Sequence, residues 1–167
     1  KRFKDEQIIK ILCGVRRSGK STILKSYKKE LISLGVKKQN IIERLYSSME
    51  FDSDFNSVQM YKDLSEAISL ADKNQKIYLL LDEVQEVENW EKCINSLFEN
   101  QNVDIYVTGS NSKLLSSEIS TYLTGRFVQI PIYTLSFSEF IDFKNHYFPK
   151  NSDNALDFYF DLYLKTG

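Results

Sequence analysis

The sequence predicts an α/β domain, a three-layer sandwich in which a five-stranded parallel sheet carries helices on both faces. Apolar runs of strand length alternate, five times over, with stretches whose apolar residues recur at helical spacing, and that alternation builds parallel sheets. Strands one, three and four read as apolar through both faces, as strands covered on each side must be. At 167 residues the chain is the size of one globular unit with one main core.

The first strand is expected from Ile8 to Cys13, and its helix places Ile23, Leu24, Tyr27 and Leu31 on one face before stopping near Gly35. The second strand runs from Ile41 to Tyr46, and Tyr61, Leu64, Ile68 and Ala71 mark the helix after it. The third, Ile77 to Leu81, precedes a helix capped by Asn89 that buries Trp90, Ile94, Leu97 and Phe98. The fourth, Val103 to Val107, leads to a helix bearing Leu114, Leu115, Ile119 and Tyr122, and the fifth is Phe127 to Ile132. A short helix over Ser136 to Phe143 and an aromatic one over Ala155 to Leu164 complete the chain. Residues 1–134 are thus expected to form the main domain, and 135–167 a helical segment beginning a further, truncated region.

Composition narrows the function. Apolar residues make up 42% and charged residues 27%, ordinary for a folded soluble protein. Lys and Arg number 22 against 23 Asp and Glu, so charge makes no case for nucleic acid or an acidic membrane. The aromatic clusters, Phe51/Phe55, Phe137/Phe140/Phe143 and Phe158/Tyr159/Phe160/Tyr163, are interleaved with acids and read as packing. Cys13, Cys93 and the lone His146 make neither a disulfide framework nor a metal cluster, which suits a reducing, cytoplasmic setting. No stretch approaches the ~18 to 20 apolar residues of a membrane-spanning helix. The abrupt start at Lys1 and the glycine at 167 just beyond a helical stretch read as cuts within a longer protein.

The chemistry is expected at the carboxyl ends of the strands. Gly14-Val15-Arg16-Arg17-Ser18-Gly19-Lys20-Ser21 satisfies G-x-x-x-x-G-K-[ST] directly after an apolar strand and at the start of a helix. Its glycines let successive N–H groups point into one concavity at the positive end of the helix dipole, which suits a polyphosphate. Lys20 is expected to reach the β- and γ-phosphates, Ser21 to offer its hydroxyl to Mg²⁺, and Thr22 to contact the α-phosphate. Arg16 and Arg17 have three open readings: phosphate contacts, contacts to a neighbouring subunit, or solvated loop residues.

The run Ile77 to Leu81 ends in Asp82-Glu83. Asp82 is placed to hold Mg²⁺ opposite Ser21, and Glu83 to polarise an attacking water. A second acid favours an ATPase over a GTPase, and the sequence contains no Asn-Lys-x-Asp segment for reading guanine. At the end of strand four, Thr108-Gly109-Ser110-Asn111 reads either as a γ-phosphate sensor, at Ser110 or Asn111, or as a helix cap. Arg126 reads either as an arginine finger reaching a neighbour's γ-phosphate in a homo-oligomer or as a local ion pair.

The strings Gly14 to Thr22, Leu80-Leu81-Asp82-Glu83-Val84-Gln85, Val107 to Asn111 and Leu135-Ser136-Phe137-Ser138-Glu139-Phe140 resemble the prokaryotic AAA-type ATP-binding proteins of unassigned role. The resemblance covers almost the whole chain. It implies a P-loop core with the AAA+ strand order 5-1-4-3-2, followed by a C-terminal domain of unknown function. It also implies phosphate and magnesium roles for Lys20 and Ser21, a metal role for Asp82, and a water-activating role for Glu83. The expected activity is Mg²⁺-dependent hydrolysis of ATP coupled to conformational change in an attached domain or partner. The alternative is a nucleotide-gated switch that binds ATP with little hydrolysis, and a phosphotransferase is disfavoured by the lack of an acceptor site or arginine-rich lid.

Overall fold

In the computed structural model, which describes residues 3–51, 54–110, 122–147 and 156–166, five strands run parallel in one sheet. They are β1 (Ile9–Gly14), β2 (Ile41–Leu45), β3 (Ile77–Asp82), β4 (Val103–Ser110) and β5 (Phe127–Pro131), in the order β2-β3-β4-β1-β5. Read from the other edge this is 5-1-4-3-2. The strands belong to the first of two compact units, residues 1–132 and 133–167.

Helices α1 (Lys20–Ser33), α2 (Ser57–Ser69) and α3 (Trp90–Asn100) of the first unit cover the sheet. Strand periodicity assigns the faces. Ile9, Ile11 and Cys13 of β1 join Leu79, Leu81, Ile105 and Val107 in a core with Met60, Leu64, Ile94 and Leu97 from α2 and α3. Leu12, Leu80 and Tyr106 point the other way, onto Leu24 and Leu31 of α1. Tyr46, Phe51 and Phe55 stack together against the first core, so these rings pack rather than form a binding surface.

Two of the central strands are not apolar throughout. Lys10 in β1 and Asp104 in β4 are buried among the residues facing α1, where they pair with each other. The α1 stripe also differs from expectation: Ile23 is 40% exposed, because the buried positions Leu24 and Leu31 fix a face from which it is rotated away. Asn89 precedes α3 as expected but makes no side-chain cap, since its left-handed φ of 56° turns the carboxamide away from the first amides. The full capping box instead opens α2, where Asn56 Oδ1 accepts from Val58 and Gln59 N–H and Gln59 Oε1 accepts from Asn56 N–H.

β4 extends past the expected Val107 because its register with β1 continues to the Gly14–Ser110 pair. Leu114, Leu115 and Ile119, expected on the following helix, lie outside the described residues, as does Asn111. In the second unit, α4 (Phe137–Tyr147) and α5 (Leu156–Thr166) meet through Phe137 and Phe160, whose ring centroids are 5.2 Å apart. Tyr163 Oη donates to Leu135 O at 2.8 Å. α4 runs beyond the expected Phe143 because Phe143 and Tyr147, one turn apart, bring their rings to 4.5 Å. No helix among the described residues is long and apolar enough to cross a membrane.

Candidate functional site

Gly14 closes β1 where no side chain fits: a Cβ there would stand 2.2 Å from Ile132 O and 2.7 Å from Ser18 Oγ. Gly19 ends the turn at φ 93°, a conformation that leads directly into α1. Between them Val15, Arg16 and Arg17 are exposed, with Arg17 also left-handed at φ 67°. The turn folds Lys20, only 3% exposed, back over the loop, so that Nζ donates to Gly14 O at 3.0 Å and Val15 O at 2.9 Å.

This arrangement fits a polyphosphate. Lys20 is an enclosed ammonium with carbonyl acceptors and no carboxylate within ion-pair distance among the described residues. Ser18 Oγ is buried without a hydrogen-bond partner among those residues. The first turn of α1 contains no acid that would compete with an anion for its free N–H groups.

The register that pairs Leu81 with Val107 carries the next residues, Asp82 and Thr108, side by side at the same end of the sheet. Thr108 is fully buried; its hydroxyl donates to Asp82 Oδ1 and accepts from Glu83 N–H at 3.1 Å. Glu83 holds a left-handed φ of 55° and opens a 3₁₀ turn over Val84–Glu86. For a residue with a side chain that conformation costs roughly 1 to 2 kcal/mol, which the Thr108 contact and the turn's own Glu86 N–H to Glu83 O bond help to offset. Gln85 Nε2 donates to the Glu83 carboxylate, and its Oε1 is buried without a partner among the described residues.

Ser21 and Asp82 line one cavity of about 300 Å³, together with the charged residues Lys25, Glu43, Arg44 and Glu50. Arg44 is fixed in its wall by two bonds to Asp63, at 2.8 and 3.0 Å, which hold its guanidinium above the usual arginine range. Among the described residues no three His, Cys, Asp or Glu side chains converge as metal ligands. Ser21 and Asp82 offer one hydroxyl and one carboxylate, a donor set Mg²⁺ takes when phosphate oxygens and water complete its shell.

A second, mainly apolar cavity of about 370 Å³ begins at Thr22 and Ile23 and continues past Tyr27 to Tyr106, Ile130 and Ile132. Burial raises the Tyr27 phenol to about 12 and pushes Tyr106 up as well, so both stay neutral, joined by a 2.8 Å hydrogen bond. Burial likewise raises the Cys93 thiol to about 12, leaving it chemically inert.

Ser110 sits at the tip of β4 opposite Gly14, beside the loop. Arg126 does not join this cluster. Ile9 N–H donates to its carbonyl at 2.8 Å, which puts it at the amino end of β1, about 17 Å of strand from the loop. Its guanidinium donates to Asn95 and Glu99. In the sequence Thr108 reads only as part of a polar tip and Gln85 has no role, because nothing in residue type alone shows that both contact the acidic pair.

Strand order 5-1-4-3-2, with a glycine loop cradling a helix N-terminus after β1, defines a P-loop protein of the AAA+ type. Residues 6–141 match the AAA domain family, and the chain belongs to it. An uncharacterized protein of Haemophilus influenzae is 43% identical over 148 residues, covering 86% of this chain and 35% of that protein. An uncharacterized protein of Methanocaldococcus jannaschii is 36% identical over 142 residues, covering 82% of this chain and 29% of that one. The chain thus spans about a third of the length of these relatives.

Among solved structures, the fold is similar to a DNA polymerase III gamma-subunit-related protein of Thermotoga maritima. The TM-score is 0.57 at 12% identity, over 84% of this chain and 45% of that one. It is also similar to AMPPCP-bound DnaA from Aquifex aeolicus, with a TM-score of 0.56 at 18% identity, over 92% and 50% of the two chains. At these identities the likeness is one of fold.

Proposed function

We propose that this chain binds ATP with Mg²⁺ and hydrolyses it to ADP and phosphate, driving conformational change in an attached domain or a partner. The observation that carries the reading is that an enclosed Lys20 and an acidic pair, Asp82-Glu83, follow strands at the same carboxyl end of the parallel sheet.

The loop N–H groups and Lys20 bind the phosphates, Lys20 exchanging its carbonyl partners for β- and γ-oxygens. Bound Mg²⁺, held by Ser21 and Asp82, would neutralise charge on those oxygens. Glu83 orients a water toward the γ-phosphorus and takes its proton, while Ser110 or Asn111 donates to the γ-phosphate. The apolar cavity that begins at Thr22 takes the base. Arg126, too far from its own loop, acts only on a neighbour in a homo-oligomer, leaving its pairing with Glu99 to do so. Residues 1–134 supply the core, and 135–167 begin a further helical region.

One contact favours the second reading, a nucleotide-gated switch. Gln85 Nε2 occupies the Glu83 carboxylate, and that bond has to be given up before the carboxylate can take a water's hydrogen. Calorimetric titration with ATP, ADP and GTP in the presence of Mg²⁺ tests the shared part of both readings. Adenine-selective binding that Lys20→Ala abolishes is the expected result. Equal binding of GTP, or binding unaffected by Lys20→Ala, would contradict it.

A further inference from the structure

Thr108 has no exposed surface and lies between the two carboxylate-bearing residues without being an acid, base or ligand itself. On one side its hydroxyl hydrogen is committed to Asp82 Oδ1. On the other, its oxygen accepts the backbone N–H of Glu83 at 3.1 Å. A hydroxyl has one hydrogen to give, so the two bonds fix each other's direction: accepting from Glu83 aims the hydrogen at Asp82.

We infer that Thr108 is the positioning residue of the metal and water-activating acids, through these two bonds. This rests on the functional reading above. Occupying Oδ1 fixes the carboxylate plane of a residue that lines the same cavity as Ser21, and leaves Oδ2 outside that bond. Fixing the Glu83 amide holds the left-handed backbone that sends its side chain off the strand direction. β4 then runs only two residues further to Ser110 at its tip, so a single strand sets the acids and carries the candidate phosphate sensor.

The test is nucleotide affinity measured with and without Mg²⁺ in the wild-type chain, Thr108→Val and Thr108→Ser. Valine keeps the shape and removes the hydroxyl; serine keeps the hydroxyl. Wild type is expected to bind ATP more tightly when Mg²⁺ is present. Thr108→Val should bind ATP equally well without Mg²⁺ but lose about tenfold to hundredfold in Mg²⁺ half-saturation, the usual effect of removing a group that orients a ligand. Phosphate release should fall in parallel through kcat rather than KM, and Thr108→Ser should restore most of both.

A valine variant with wild-type Mg²⁺ dependence, in a wild type that does show one, would overturn the inference alone. So would a serine variant as impaired as the valine variant, which would assign the effect to packing of the methyl group. A wild type that binds no nucleotide would overturn the functional reading and this inference with it.

Discussion

Lys10 and Asp104, 0% and 1% exposed, form an ion pair of 2.5 Å inside the layer between the sheet and α1. The remaining hydrogen-bonding capacity is also used. Lys10 Nζ donates to Glu6 O at 2.8 Å, and Asp104 Oδ2 accepts from Asp5 N–H at 2.9 Å and Tyr106 Oη at 3.3 Å. The pair therefore ties the segment before β1 to β4, and through the Tyr106–Tyr27 bond to the helix that follows the phosphate loop.

Removing one partner of such a pair leaves an enclosed charge alone. Asp104→Ala is expected to cost about 3 to 5 kcal/mol in urea unfolding, and the double change Lys10→Met with Asp104→Leu to recover most of that. If the double variant is as unstable as Asp104→Ala, the pair contributes more than mutual neutralisation.

Gly14→Ala places a methyl group against the Ile132 carbonyl, whose own N–H donates to Cys13 O at 2.7 Å. The loop must shift, and overpacking of this kind costs about 1 to 3 kcal/mol. ATP affinity should fall by about tenfold or more, with a lower melting temperature. Unchanged affinity by calorimetry would mean the loop does not set the phosphate site.

Arg126→Ala removes the bonds to Glu99 and Asn95. Both charged groups are more than a third exposed, so the stability change is expected to stay within roughly 1 kcal/mol. The rate of hydrolysis should drop only at concentrations where sedimentation shows assembly. An unchanged rate in a proven oligomer would remove the residue as a finger.

Ser136 caps α4 through Glu139, whose Oε2 accepts from both the backbone N–H and the hydroxyl at 2.8 Å. The backbone bond first, then the hydroxyl, holds the Glu139 carboxyl below its ordinary value. A folded pKa below the unfolded one stabilises fully above the unfolded value, near 4.3, and the contribution is lost as pH falls through the folded value. In an NMR titration Glu139 should therefore titrate below the other exposed glutamates, and Ser136→Ala should move it upward. A midpoint unchanged by Ser136→Ala would show that the hydroxyl bond does not form in solution.

The sheet was legible because its signal is local. Five apolar runs of strand length and the helical spacing between them follow from composition and period alone; Gly14 and Asp82 end strands that the pattern itself marks, and Gly19 stands immediately before the helix that follows the first of them. Lys10 and Asp104 were not legible. Each looks like an isolated charge in its strand, and their match depends on strand order, which places β4 beside β1. Thr108 and Gln85 escaped for the same reason. Their roles come from a register between β3 and β4 and from a left-handed turn at Glu83, neither of which residue type encodes. Asn89 shows the reverse error: a residue favoured as a helix cap stands at the right position in a backbone conformation that prevents the bond.

The proposed hydrolysis of ATP depends on Glu83 activating the water. The most direct measurement is phosphate release from Mg²⁺-ATP by the wild-type chain and by Glu83→Gln, with ATP affinity determined on the same samples. The wild type is expected to release phosphate, and the variant to bind ATP fully with release reduced by about a hundredfold or more. Release by Glu83→Gln at the wild-type rate would contradict it.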